Sequence, residues 1–190
     1  KSVIETSDKL IRGLYKDERS MELFIAPTQF GKTAILFWTA YKLMTNDDPR
    51  FFVPHSHVFI MTGVNSNSWK EQTQSRILPC MHANVWHNKD VCNEENVERL
   101  KDAVLSKDNT LIIIDEVHVG TSVHHVLFKK LLSFHPKSGV RTISQTELFT
   151  FLYSNGVKFL FVSATPDAIK ETLEHHWMED KFNTVVAQPE

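Results

Sequence analysis

The sequence predicts an α/β fold, a mostly parallel sheet flanked by helices on both faces. Short apolar runs alternate with segments of helical length along the chain, a pattern that gives parallel strands joined by crossover helices. Thr110-Leu111-Ile112-Ile113-Ile114 is apolar and β-branched without alternation, as expected of a strand covered on both faces. Near the start, an apolar run passes through a loop straight into a helical segment. With 190 residues, 42% of them hydrophobic, the chain suits a single domain over 1–190 with a substantial core.

Taken in order, Met21-Glu22-Leu23-Phe24-Ile25 is a short run suited to a buried strand, placed at Leu23–Ala26. The loop Ala26-Pro27-Thr28-Gln29-Phe30-Gly31-Lys32-Thr33 follows at once, and a helix is expected over Lys32–Met44. Strand, loop and helix together are the context that a phosphate-binding loop requires. Backbone N–H groups of the loop and of the first helical turn surround an anion, and the helix dipole favours it. Lys32 then reaches the β and γ phosphates, and the Thr33 hydroxyl binds Mg²⁺. Ala26 stands where the general G-x-x-x-x-G-K-[ST] pattern has glycine, and Gln29 where a glycine would take positive φ without steric cost. The plainer alternative is an ordinary helix start with a solvated Lys32. Phe37 and Trp38 are expected in the core rather than as base-stacking platforms.

Asn46-Asp47-Asp48-Pro49 reads as a surface turn, and Val58–Thr62 as the next strand, ending at Gly63. A polar loop leads into a helix at Ser68–Ile77. Hydroxyls, amides and N–H groups at a helix start suit phosphate contacts, so Thr62, Gly63, Asn65, Ser66 and Gln72 are candidates to touch a phosphate. The alternative is a plain strand–helix loop with Ser68 as N-cap. A strand at Ala83–His87 and a helix at Glu94–Leu105 follow. Cys80, His82, His87 and Cys92 have zinc-ligand chemistry, but their spacing does not match the paired spacings of structural zinc sites, and no metal is expected there.

The strand at Leu111–Asp115 carries Asp115 and Glu116 at its carboxyl end, where ligands bind in open α/β sheets. Two adjacent carboxylates there can divide the work. Asp115 would hold a nucleotide-bound Mg²⁺, and Glu116 would orient and deprotonate the attacking water. The plainer reading is a strand that ends in a polar turn. Helices near Ser122–Ser133 and Ile143–Tyr153, split at Phe134-His135-Pro136-Lys137-Ser138-Gly139, fill a stretch longer than one helix needs, which reads as an insertion. Ser163-Ala164-Thr165 closes the strand at Val157–Ser163 and leads through Pro166 towards a helix at Asp167–Glu174, so helix capping is an available role for Ser163 and Thr165.

The Ala-x-Thr-x-x-Gly-Lys-Thr loop, the Asp115-Glu116-Val117-His118 box and the Ser163-Ala164-Thr165 triplet occur in that order. They resemble the first RecA-like motor domain of superfamily 2 helicases, the DExH group, over about Leu23 to Thr165. The resemblance implies an ATP-dependent helicase or translocase that uses ATP and Mg²⁺ and acts on nucleic acid. It implies that His118 couples the nucleotide site to a partner domain, and that Ser163 and Thr165 link hydrolysis to movement. It further implies a second RecA-like domain in the same full-length chain, closing over the nucleotide and supplying an arginine finger. Too few residues follow Thr165 to form one and no initiating Met is present, so the expectation is a fragment with little activity of its own. The Ser-Ala-Thr-Pro-Asp run looks closer to DNA translocases of the restriction and repair type than to RNA remodellers, which favours DNA. The family's motif Ia, which contacts the nucleic-acid backbone, falls at Val58–Gly63 and the polar loop after it with a poor residue match. The resemblance thus implies nucleic-acid contact for Thr62, Gly63, Asn65, Ser66 and Gln72, while a clear motif Ib is missing.

A rival from another class is a nucleotide-dependent interaction module that switches partners without translocation. Glu116 speaks against it, since pure binding needs no water-activating carboxylate. A small GTPase is disfavoured by the lack of an Asn-Lys-x-Asp run. The net charge of −2 supplies no global basic field, so backbone binding would use a local strip of Lys and Arg. Two cysteines argue for a reducing, intracellular compartment. Neither a signal-peptide pattern nor a membrane-length apolar segment is present.

Overall fold

A computed structural model describes residues 3–16, 21–27, 30–115, 121–165 and 182–187, and in it six strands form one sheet, every pairing parallel. They are β1 (Met21–Ile25), β2 (Val58–Thr62), β3 (Val85–Trp86), β4 (Thr110–Asp115), β5 (Val157–Ser163) and β6 (Phe182–Val186), side by side as β3-β2-β4-β5-β1-β6. The helices are α1 (Val3–Leu14), α2 (Lys32–Met44), α3 (Asn67–Gln74), α4 (Glu94–Leu105), α5 (Thr121–Phe134) and α6 (Gln145–Ser154). The fold is therefore α/β with an all-parallel sheet, as the apolar runs predict. Among the described residues no helix is long and apolar enough to cross a membrane.

Alternate residues of each strand feed two separate cores. Phe24, Ile60, Ile113, Leu160 and Val162 pack with Leu10 and Leu14 of α1 and Ile35, Leu36 and Leu43 of α2. Leu23, Phe59, Ile112, Ile114, Phe159 and Phe161 pack with α4, α5 and α6 on the other face. Helices cover both faces, and this removes any need for alternation in β4 and β5. Each fully buried Leu, Ile or Phe contributes about 1.5–3 kcal/mol relative to an exposed one.

Two elements lay outside the expected set. Helix α1 buries Thr6, Ser7, Leu10 and Leu14 with Ile11 packed beside them, an amphipathic stripe that the expected set left out. Ser7 earns its place by size and by its hydroxyl, which donates to the carbonyls of Val3 (2.9 Å) and Ile35 (3.2 Å) and draws α1 onto α2. Strand β6 pairs with β1 in register, with Ile25 opposite Val186, and the Ala187 N–H donates to the Ile25 carbonyl at 2.8 Å. Boundaries differ as well. β1 begins at Met21 rather than Leu23, and the expected strand at Ala83–His87 shrinks to Val85–Trp86 because Pro79–Asn84 turns as a 3-10 helix. The N-cap of α3 is Ser66, not Ser68: its hydroxyl accepts from the Trp69 N–H at 3.2 Å. The helix expected at Asp167–Glu174 lies outside the described residues.

The amino edge of the sheet encloses two charged side chains. Glu22 in β1 is fully buried beneath α1, where a Cβ at Gly13 would stand 2.0 Å from its carboxylate oxygen. A side chain at position 13 would therefore have to displace the Glu22 carboxylate. Lys158 in β5 is 5% exposed, its ammonium 5.0 Å from the Tyr15 ring centre and 4.9 Å from that of Tyr153. Burial pulls its pKa from 10.5 down to about 8. Burial also pushes the Tyr15 phenol upward, its hydroxyl donating to the Phe51 carbonyl at 3.4 Å.

Candidate functional site

Because every strand runs the same way, all their carboxyl ends meet at one edge. Thr62 lies opposite Asp115, and Ile25 lies opposite Ser163. The order β4-β5-β1 makes Asp115, Ser163 and the start of the loop after β1 lateral neighbours. The joint between the last two is direct: the Ala26 N–H donates to the Ser163 carbonyl at 2.9 Å. Ser163 is fully buried and closes its own turn, its hydroxyl accepting from the Thr165 N–H at 3.1 Å and donating to the Thr165 carbonyl at 3.2 Å. The Ser163–Thr165 turn and the first residue of the loop are thus joined by a backbone hydrogen bond.

The loop itself is pinned at both ends. Ala26 is buried beneath the sheet edge, while Pro27 is exposed. Phe30 packs half-buried against the α1 and α2 core, its N–H donating to the Pro27 carbonyl at 3.3 Å. Thr28 and Gln29 lie outside the described residues. Gly31 is the described loop residue with positive φ (80°, ψ 26°), so Ala26 occupies its position without glycine's freedom. Nothing lies within 4 Å of where a Cβ on Gly31 would stand, so its backbone angle rather than crowding demands glycine.

Gly31 is also the N-cap of α2, and it brings no capping side chain. The first turn of α2 holds no acidic residue. By contrast α3, α4 and α6 are capped by Ser66, Asn93 and Ser144. The amino end of α2 thus keeps its N–H groups and its partial positive charge for something other than a side-chain cap. It opens on a cavity of about 600 Å³ lined by Gly31, Lys32, Thr33, Ala34, Phe37 and Arg76. That volume falls within the ordinary range of small-molecule sites, about 300–1,000 Å³. Phe37 matches its expected core place on one side and forms cavity wall on the other. Trp38 is half-buried and stacked on Tyr41 with ring centres 5.4 Å apart.

Asp115 ends β4 half-buried, and Glu116 and His118 lie outside the described residues. The Thr33 hydroxyl and the Asp115 carboxylate are hard oxygen donors, the kind that Mg²⁺ prefers, and Lys32 and the α2 N–H groups suit a polyphosphate. The residues present fit a magnesium nucleotide.

The candidate nucleic-acid contacts divide. Thr62 is fully buried and its hydroxyl accepts from the Val64 N–H at 3.3 Å, so it serves the turn and is withdrawn from any strand passing outside. Ser66 is half-buried and occupied as the α3 cap, with Ser68 at 2.9 Å. Gly63 is half-buried, and Asn65 and Gln72 are exposed. Beside them Lys70 is committed to Asp90 at 2.8 Å. Burial alone would raise the Asp90 carboxyl; Lys70 and the His87 N–H outweigh it and hold the group ionised below its usual range. Among the described residues no group of three or more His, Cys, Asp or Glu could hold a metal, and Cys80 and Cys92 are exposed free thiols.

Sequence reasoning missed Arg76. It sits two residues past α3, in a segment with no motif, and only the fold carries it to the cavity beside Lys32.

No family model matches this sequence, and no curated protein does. Among solved structures, the chain is similar to the crystal structure of the Pyrococcus furiosus Hef helicase domain, at 15% identity and a TM-score of 0.45. The match covers 95% of this chain, which spans 37% of that one. A likeness at this level carries no assignment of residues or activity.

Proposed function

We propose that this chain is the ATP-binding first motor domain of an ATP-dependent nucleic-acid helicase or translocase, acting on DNA in preference to RNA. One observation carries the reading: β4, β5 and β1 are consecutive, and the Ser163 carbonyl holds the first residue of the Ala26–Thr33 loop. A magnesium site, a triplet of the coupling type and a phosphate loop need this adjacency to act together.

In this reading the α2 N–H groups and Lys32 bind the phosphates, Thr33 and Asp115 hold Mg²⁺, and Glu116 orients and deprotonates the attacking water. The metal, when bound, neutralises charge on the transferring phosphoryl group. Ser163 and Thr165 link hydrolysis to movement on nucleic acid, and His118 couples the nucleotide site to a second RecA-like domain of the full-length protein. That domain supplies an arginine finger, an element worth about three to five orders of magnitude in phosphoryl transfer. The 190-residue chain by itself therefore binds ATP weakly and turns it over hardly at all.

The test is ATP hydrolysis by the full-length protein with and without single-stranded DNA or RNA. Stimulation is expected, stronger with DNA. Hydrolysis indifferent to both nucleic acids would replace the motor with a nucleotide-dependent switch.

A further inference from the structure

We infer that Arg76 is a positioning residue for the nucleotide's phosphates, a second cation facing the anion that Lys32 meets first. This rests on the reading of the Gly31–Thr33 turn as a phosphate site. Arg76 and Lys32 line the same open cavity, yet they come from different crossovers, one behind α3 and the other at the start of α2.

Three observations favour a ligand over a structural partner. Arg76 is exposed, so its charge is not needed to satisfy a buried group. The Arg76 guanidinium makes no hydrogen bond or ion pair among the described residues, and the backbone is what holds it, its N–H donating to the Thr73 carbonyl at 3.0 Å. Among the described residues no carboxylate lines the cavity, whose described walls are the uncapped turn of α2, Phe37 and Arg76 itself.

An anion is the ligand that such a lining selects. A guanidinium can grip two phosphate oxygens at once, where an ammonium acts as a point charge. Phosphate could come from the nucleotide or from a nucleic-acid backbone. The shared cavity with Lys32 and Thr33 assigns it to the nucleotide.

The experiment measures binding of Mg²⁺-ATP, magnesium tripolyphosphate and single-stranded DNA to the 190-residue chain and to Arg76→Ala, Arg76→Lys and Lys32→Ala. Arg76→Ala is expected to weaken ATP and tripolyphosphate alike by about 10- to 100-fold, the range of one charge-assisted hydrogen-bond set. Arg76→Lys should recover part of that loss, and the thermal midpoint should not move, because the side chain is exposed. Recovery by charge separates positioning from structure. Wild-type affinity in Arg76→Ala with loss in Lys32→Ala overturns this inference and leaves the phosphate site standing. Unchanged binding in both, or no binding by wild type, overturns the two together. Loss of DNA affinity alone in Arg76→Ala reassigns the residue to a nucleic-acid phosphate and equally overturns the inference.

Discussion

A lysine stands near each edge of the sheet, and the fold treats the two in opposite ways. At the carboxyl edge Lys32 is half-buried at the mouth of a cavity, on an uncapped helix start. Towards the amino edge Lys158 is shut between the rings of Tyr15 and Tyr153, and burial draws its pKa down to about 8. The charge at Lys158 is an expense to the folded state that the two rings only partly offset. Lys32 stays half-exposed among the residues that line the cavity. Residue type is the same in both places; solvent access decides which lysine can serve a ligand.

The comparison is tested most severely at the carboxyl edge. Glu116→Gln in the full-length protein should leave Mg²⁺-nucleotide binding in place and lower turnover by about two to four orders of magnitude, the usual value of general-base assistance. Unimpaired hydrolysis would move the base elsewhere. Lys32→Ala should next abolish productive triphosphate binding, a loss of at least about a hundredfold for a charge-assisted contact to phosphate, read by calorimetry on the 190-residue chain. Equal affinity in variant and wild type would mean that the loop holds no phosphate.

At the other edge the sign reverses. Lys158→Met removes a buried charge and should stabilise the fold by about 1–3 kcal/mol near pH 7, read by urea unfolding. The pH dependence carries the same information. Between pH 8 and 10.5 the unfolded lysine still holds a proton that the folded one has released. Wild-type stability should therefore rise with pH through that window relative to Lys158→Met. A flat difference would place the amine in solvent. The smallest effect belongs to Gly31→Ala, where positive φ in an L-residue costs about 1 kcal/mol of stability while no neighbour is displaced.

How much could be read beforehand varied with the kind of signal. The strands β2, β4 and β5 and helices α2, α4 and α6 follow from continuous apolar runs and helical stripes, and they stand within two residues of their expected bounds. α1 does carry an amphipathic stripe in Leu10, Ile11 and Leu14, and the expected set omitted it; what hydropathy does not show is the burial of Ser7, whose hydroxyl bonds to α2. β6 was hidden because Phe182-Asn183-Thr184-Val185-Val186 becomes a strand by pairing with β1, a partner distant in the chain. Thr62 ends β2 as expected, and what the sequence leaves open is the use of its hydroxyl: a threonine at a strand end is equally suited to solvent and to its own turn, and in this fold it accepts from the Val64 N–H.

The sequence by itself determined the local chemistry. A continuous apolar, β-branched run favours burial on both faces, a glycine before Lys32-Thr33 permits a left-handed turn into a helix, and Asp115 closes an apolar run where burying a further charge would be costly. Tertiary structure alone decided what stands beside what. It inserted β5 between β4 and β1, hung Ala26 on the Ser163 carbonyl, brought Arg76 to the cavity of Lys32 and closed two tyrosines over Lys158. Those neighbours are far apart along the chain, and strand pairing and helix packing, not local preference, bring them together.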